Sequence, residues 1–565
     1  MNQYPRRKNL LSRRDFLWMS AQGGMVLLLN GCASSLIKAT SDSSNAIAAG
    51  DFVRNFGPID RTLPDSIPNK FSGDNDERPH RILRNLPQYL AAKSVESTEK
   101  APVVIIGGGM SGLFTAYGLR KHRPILIEQA PRFGGNAKGE SWRGLSYSIG
   151  AAYIDLPRPG IPMHSLYEEL GLEEILVGRP GSDPVEYDGK LYSDFWSGET
   201  EPEFKNQYAK LNQFLSDVMN EKERPFPFIP ALNPEQMSSV KYYDQWSLHE
   251  LVTRVIGGKI PPHLDTLLEY YCWSTYAAST KELSAAGALN FLAQESNIRI
   301  GAGGNARIAE RVLERVLKEV PKENLRPSSL GVQVKVEQDH VKVLYEDSAG
   351  KLRQIKTRCV VMACPQFIAA KMLDGIEAER LSAIKKLSYR SYMTAHVLLK
   401  KAPQQNFYDI FMIGGKNNRV DDIRVSQDRT NATDFIIANF AEKNNDAGIL
   451  TFYRAFPFDG ARPQLNQPGV FADYKNRFEK QIAKQVLPLL KLSPSDVVDI
   501  RMTLWGHAVP VPAKGLFSDG TIDQLRKPFR ESVFFIEQDS WAFPSIQTGA
   551  TESELLRDQI NKILG

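Results

Sequence analysis

Cysteine is scarce in this sequence. The 565-residue chain has four, Cys32, Cys272, Cys359 and Cys364, at spacings that fit neither a disulfide framework nor a metal site. The three beyond Cys32 are read as core residues, and no metal is expected. An excess of charge of one sign is missing too. The net charge is +5, but five basic residues against one acid, Asp15, fall within the first 31 positions. The rest is close to neutral, which leaves no electrostatic footprint for nucleic acid. Long apolar runs are also lacking. The best stretch, Trp18 to Leu29, is broken by Gln22, Gly23 and Gly24, short of the about 20 residues that a membrane span needs. Internal repeats are absent, and the length suffices for two large cores.

The N-terminus is better defined. Arg6, Arg7, Lys8, Arg13 and Arg14 precede the apolar stretch, as in a signal peptide. In "SRRDFLWMSAQGGMVLLLNGC" (Ser12 to Cys32) the pair Arg13–Arg14, with Phe16 and Leu17 behind it, resembles a twin-arginine signal, which serves export of folded proteins. A plain N-terminal anchor helix is the alternative. Leu29-Asn30-Gly31-Cys32 resembles a lipobox. That resemblance implies lipidation of Cys32, attachment to a membrane, and, with Ala33 next, the outer membrane if the cell is Gram-negative. The expected location is therefore the periplasm or cell envelope. Residues 33–100, Ser/Ala-rich and then polar and Pro-punctuated, read as a linker that packs on the surface near "PHRIL".

The texture changes at Ala101. "PVVIIGGGMSGLFTAYGLRKHRPILIEQA" reads as strand, glycine turn, helix and second strand. Gly107-x-Gly109-x-x-Gly112 therefore follows a strand and opens a helix, and Glu128 stands at the end of the next strand. In that context the pattern specifies a dinucleotide site. Gly107 permits the tight turn. Gly109 lets a pyrophosphate approach the backbone, and Gly112 lets the helix pack close. Met110 and Ser111 open a helix whose free N–H groups face the phosphates. Glu128 accepts the ribose hydroxyls. Lys138, just beyond, is expected in solvent. Farther along, residues 155–297 are mostly helical, "VQVKVEQDHVKVLY" reads as two strands around Gln338-Asp339, and an amphipathic helix ends the chain.

The stretch after Glu128, "EQAPRFGGNAKG", resembles the FAD-dependent amine oxidase superfamily, which includes amine oxidases, protoporphyrinogen oxidases and phytoene desaturases. Further segments are similar in the same order: "SIGAAYI" at 148–154, "GAGGNARIAERVLERV", the strand Val332–Val336, "VVMACP", "LWGHAVP" and "SIQTGATESELL". The resemblance implies bound FAD. Its contacts would include Gln129 beside Glu128, Arg132 at the pyrophosphate, and Gly134, Gly135 and Asn136 beneath the flavin. Gly150, Ala151 and Ala152 would follow, with Val332 and Val334 at the adenine. Glu537 or Asp539 would reach the ribityl chain, and Ile546, Gly549 and Ala550 the flavin ring.

The implied fold is α/β: a Rossmann-like FAD-binding domain (parallel sheet plus β-meander) from 101–155, 297–375 and 530–565, and an inserted α+β substrate domain from 156–296 and 376–529. The implied reaction takes a hydride from the C–N bond of an amine, polyamines included, to flavin N5, with O2 or a quinone as electron acceptor. Two alternatives stay open: oxidation or isomerisation of an apolar polyene or porphyrinogen-like substrate, and a non-catalytic flavin- or carotenoid-binding protein. The family pattern breaks in places. The strand "SYMTAHVLLK" has no Lys where amine oxidases carry one, so Thr394 and His396 are the nearest candidates, an ordinary sheet residue being the simpler reading of His396. Trp505 and Trp541 are the remaining aromatic candidates, and core packing is the simpler reading of Trp541. Ile546 stands where relatives carry Tyr. A cofactor buried between distant segments also explains export after folding: FAD is loaded in the cytoplasm.

Overall fold

Val103, Val104, Ile105 and Ile106 form a β-branched run suited to a strand buried on both faces, and none is more than 4% exposed. In the computed structural model, which describes residues 43–75, 77–179, 181–294, 297–415, 432–442 and 446–565, they end the strand Ser97–Ile106. Arg13, Arg14, the apolar stretch and Cys32 lie outside the described residues. Ser97–Ile106 is central in a sheet whose order is Leu325–Arg326, Ile125–Ile127, Ser97–Ile106, Leu352–Met362, Val341–Glu346 and Leu330–Val336. The first four run parallel. The last three form an antiparallel meander around the turn at 337–340. Leu352–Met362 is long enough to hold the meander along its first half and Val533–Phe535, in parallel, along its last three residues.

A second sheet has eight strands, in the order Lys190–Tyr192, Val185–Tyr187, Asp409–Gly414, Asp434–Ile437, Gly448–Phe456, Tyr389–Leu399, Val497–Pro510 and Ser72–Gly73. Its register sets Asp434, Tyr453, Thr394 and Thr503 in one row. Asp409, Ile436, Thr451, His396 and Arg501 form the next row, two residues on. Side chains two residues apart share a face, so this face carries an unusual density of polar groups.

Residues 156–294 are largely helical. The helix Leu248–Ile256 shows why: Ser247 and Glu250 cap its start reciprocally, and Gly257 ends it in the left-handed region at φ 75°. The segment read as a linker does pack near "PHRIL" as expected, but it also contributes strands that the linker reading lacks. Within it, Ile59–Asp60 pairs in parallel with Gly139–Glu140, and Ser72–Gly73 completes the edge of the eight-stranded sheet. The helix Glu77–Leu83 buries Ile82 and Leu83, and Arg78 Nε donates to Glu346 at 2.8 Å. Its polar composition hid these few anchoring residues. Residues Ala49–Gly565 form one compact unit. Cys272 and Cys359 are core residues, whereas Cys364 is half-buried and faces the cavity described next.

Candidate functional site

A cavity of about 430 Å³ joins the two sheets. Ile106, Gly107, Ile127 and Ala363 reach it from the carboxyl ends of the parallel strands, and Thr394, Asp409, Asp434 and Tyr453 from the polar face of the eight-stranded sheet. Strand carboxyl ends are the usual ligand side of a parallel sheet.

The glycine turn shapes one part of the lining. Gly107 has φ +117°, and a Cβ there would lie 2.1 Å from the Ala363 carbonyl oxygen. At Gly112 a Cβ would lie 1.8 Å from the Gly107 oxygen, so the helix rests on the turn itself. Gly109 differs: its nearest neighbour would be Gly135 Cα at 3.5 Å, and it lines the cavity. Gly109 is the N-cap of the helix Met110–Gly118, and no side chain caps that end. Its first N–H groups are thus available to an anion. Glu128 accepts the Gly108 and Ala130 N–H groups, both at 2.7 Å. Two further polar atoms of lining residues, Gln129 Oε1 and Asn305 Oδ1, are buried with no hydrogen-bond partner among the described residues. Buried polar atoms without partners are costly, and a dinucleotide with N–H and O–H donors satisfies them.

Of the other predicted positions, Met110, Ser111, Gly134, Gly135, Asn136, Gly150, Ala151, Ala152, Glu537, Ile546, Thr394 and Trp505 also line the cavity. The rest lie elsewhere. Arg132 turns away: it donates to the Arg54 and Gly57 carbonyls and to Asp60 at 2.8 Å, tying down the segment read as a linker. Lys138 is half-buried rather than solvated, and burial lowers its pKa against the opposing pull of Glu128 and Asp74. Val332 and Val334 are wholly buried in the core, and the cavity is lined instead by Ser329, Leu330 and Gly331, ahead of a register shift between Gly331 and Gln333. Gly549 and Ala550 serve packing. A Cβ at Gly549 would lie 2.3 Å from Ser111 Oγ, so the C-terminal helix Ile546–Leu564 sits directly on the helix after the glycine turn. Trp541 is a core residue, its Nε1 donating to Glu552 at 2.5 Å.

His396 is likewise outside the lining. It is fully buried among Thr394, Thr451 and Thr503, with contacts of 3.0–3.2 Å. Burial, reinforced by Arg501, pushes its pKa down to about 3, so it is a neutral imidazole. The two acids of the last segment divide. Asp539 is held by Gln366 N–H at 2.6 Å and Tyr389 O–H at 2.5 Å. Glu537 faces the cavity. Burial and then Asp539 push its pKa up to about 8, which favours the neutral carboxyl and lessens repulsion of a nearby phosphate.

Sequence reasoning missed the carboxyls of the eight-stranded sheet. Asp434 is 1% exposed and Asp409 6%. Burial pushes Asp434 up to about 7, against hydrogen bonds from Thr433 and Ser274. Ser274 Oγ donates to Asp434 Oδ2 at 2.8 Å, and Thr433 Oγ1 to Oδ1 at 2.5 Å. Tyr392 donates to the Ser274 carbonyl at 3.0 Å, and Tyr453 to that of Gly150 at 3.4 Å. Together with Tyr153 these rings and carboxyls line the cavity. The available signal was an acid inside an apolar strand, "YDIF" and "TDFII", where charge is expensive unless used.

The comparisons with known proteins agree with this geometry. The chain matches the family described as flavin containing amine oxidoreductase over residues 110–532. It is 23% identical to Oxidoreductase PigB of Serratia sp. over 519 residues, 81% of this chain and 76% of that protein. It is 36% identical to Coproporphyrinogen III oxidase of Mycobacterium tuberculosis over 88 residues, 15% of this chain and 19% of that one. Among solved structures, putrescine oxidase bound to putrescine superposes with a TM-score of 0.60 at 15% identity, covering 82% of this chain and 100% of that one. Cyclohexylamine oxidase from Brevibacterium oxydans gives 0.59 at 13%, covering 82% and 99%. The fold is the mixed α/β fold of these flavoenzymes, and the chain belongs to the flavin containing amine oxidoreductase family as an FAD-dependent oxidoreductase.

Proposed function

We propose that this enzyme oxidises an amine at its C–N bond, and that the carrying observation is the set of buried carboxyls among tyrosines on the sheet side of the cavity. A cationic amine is the ligand that the buried Asp434 suits, because a buried carboxylate is stabilised by a partner charge, and Tyr153, Tyr392 and Tyr453 offer aromatic surface in the same cavity. An apolar polyene would find no use for such an acid. In this reading the glycine turn and the parallel strands form a Rossmann-like FAD domain, and the eight-stranded sheet with its helices forms the substrate domain. FAD, when bound, supplies the two-electron acceptor. The chain's own groups hold its phosphates at the start of Met110–Gly118, its ribose at Glu128, and its middle at Glu537. The second acceptor is O2 or a quinone. The sequence supports export in the folded state through Arg13 and Arg14, and a lipid anchor at Cys32 that holds the enzyme in the cell envelope, where a quinone is within reach.

Anaerobic mixing of the yellow enzyme with amines (cyclohexylamine, 1,4-diaminobutane), a carotenoid and a porphyrinogen tests the substrate class. Amines should bleach the flavin. Bleaching by the polyene or porphyrinogen alone overturns the proposal.

A further inference from the structure

An alkylamine enters the cavity as an ammonium ion, and its nitrogen must lose a proton before its lone pair can assist hydride loss from the neighbouring carbon. The group that takes this proton must face the cavity, keep an oxygen or nitrogen lone pair accessible, and be ionised at working pH. His396 fails the first condition. Tyr392 and Tyr453 fail the third, because burial raises both phenols well above their ordinary range. Thr394 donates to the Ile149 carbonyl at 3.3 Å and is not a base. Glu537 sits beside Ser111 at the glycine turn, in the part of the lining suited to phosphates.

We propose that the Asp434 carboxylate is the proton acceptor for the bound ammonium; this rests on the amine reading above. One hydroxyl on each of its oxygens, from Ser274 and Thr433, fixes the carboxyl plane and leaves a second lone pair on each. Asp434 lies opposite Tyr453 in the sheet register. The titratable groups around it are Asp409 on Asp409–Gly414, Tyr453 on Gly448–Phe456 and Tyr392 on Tyr389–Leu399, with Ser274 from the helix Pro262–Tyr276. Asn305, in the same cavity, is 3% exposed; its Nδ2 donates to the Tyr153 carbonyl at 3.1 Å, and its Oδ1, with no donor among the described residues, calls for an N–H or O–H donor from what the cavity binds. In the step itself the N–H bond breaks, its electron pair stays on nitrogen, and the O–H bond forms on Asp434. The hydride then leaves carbon with its own electron pair for FAD, and the carboxyl returns its proton to solvent as the product departs. The raised pKa of Asp434, about 7, suits a group that alternates between these states.

The test is the pH dependence of flavin bleaching by cyclohexylamine and 1,4-diaminobutane in the FAD-loaded enzyme. The wild-type rate should fall tenfold per pH unit below about 7, as Asp434 protonates. In Asp434→Asn the enzyme must capture the free amine, so the acid limb should move to the amine's own pKa, about 10. The variant is then slower by about a thousandfold at pH 7 and nearly restored above pH 10. A merely structural role would lower the rate at every pH and leave the limb in place. Ser274→Ala, which removes one hydrogen bond from the carboxylate, should shift the wild-type limb upward. It supplies the test if Asp434→Asn does not fold. Amine bleaching with an acid limb that does not move in Asp434→Asn or in Ser274→Ala overturns the assignment. Failure of any amine to bleach the wild-type flavin overturns the amine reading itself.

Discussion

Gly109→Ala separates binding of FAD from folding. The backbone there has φ −73° and ψ −172°, open to any residue, and the added methyl meets only Gly135 Cα at 3.5 Å, an ordinary contact. Loss of a glycine N-cap costs the helix roughly 0.5–1 kcal/mol, so the apoprotein should melt within a few degrees of wild type. The methyl nevertheless stands where the pyrophosphate must approach. Pushing the phosphates away strains the site by about 1–3 kcal/mol and weakens at least one charge-assisted bond of about 1.5–3 kcal/mol. The sum corresponds to a loss of about 100-fold or more in FAD affinity. Deflavination followed by titration with FAD, read by quenching of flavin fluorescence, measures it. Gly107→Ala is the contrast, because its methyl would collide with the Ala363 carbonyl and should destabilise the apoprotein itself. A Gly109→Ala protein that binds FAD within threefold of wild type would refute a pyrophosphate path over this turn.

Three further outcomes follow from named residues. Glu128→Gln keeps only one of the two hydrogen bonds from the Gly108 and Ala130 N–H groups and sets an NH2 against the other donor, so it should loosen the glycine turn and lower FAD affinity by roughly 10-fold or more in the same titration, while Arg132→Ala, which loses contacts to residues 54–60, should chiefly lower the melting temperature. His396 is held neutral in the fold but protonates when unfolded, so it withdraws stability as pH falls from about 6.5 towards 3, by up to about 1.4 kcal/mol per unit; denaturant melts of His396→Gln should show a flatter acid dependence. Arg13→Lys with Arg14→Lys keeps the charge but removes the guanidinium pair, and cell fractionation should find the yellow protein retained in the cytoplasm; normal arrival in the envelope would refute the twin-arginine reading.

The parts legible in the sequence were those with local, period-bound signatures. The glycine turn after a β-branched strand, Glu128 at the end of the next strand, and the meander around Gln338-Asp339 all announce themselves within about 30 residues of chain. Contacts made at a distance were hidden. Arg132 sits in the expected motif, yet its partners, Arg54, Gly57 and Asp60, lie in polar text without periodicity. Val332 and Val334 satisfy the pattern of an adenine strand, but the register shift after Gly331 moves the lining two residues earlier. Asp409 and Asp434 share a sheet face only because their strands are neighbours in a particular register; no local pattern predicts that register, although an acid in an apolar strand invites the question.

The most direct measurement is a crystal structure of the FAD-loaded enzyme, reduced and kept anaerobic, with cyclohexylamine bound. The account expects FAD laid from Ser329–Gly331 past Gly109 to Ala151, and the amine nitrogen within hydrogen-bonding distance of the Asp434 carboxylate. Flavin in that place with the amine nitrogen elsewhere, or Asp434 turned out of the cavity, would contradict it.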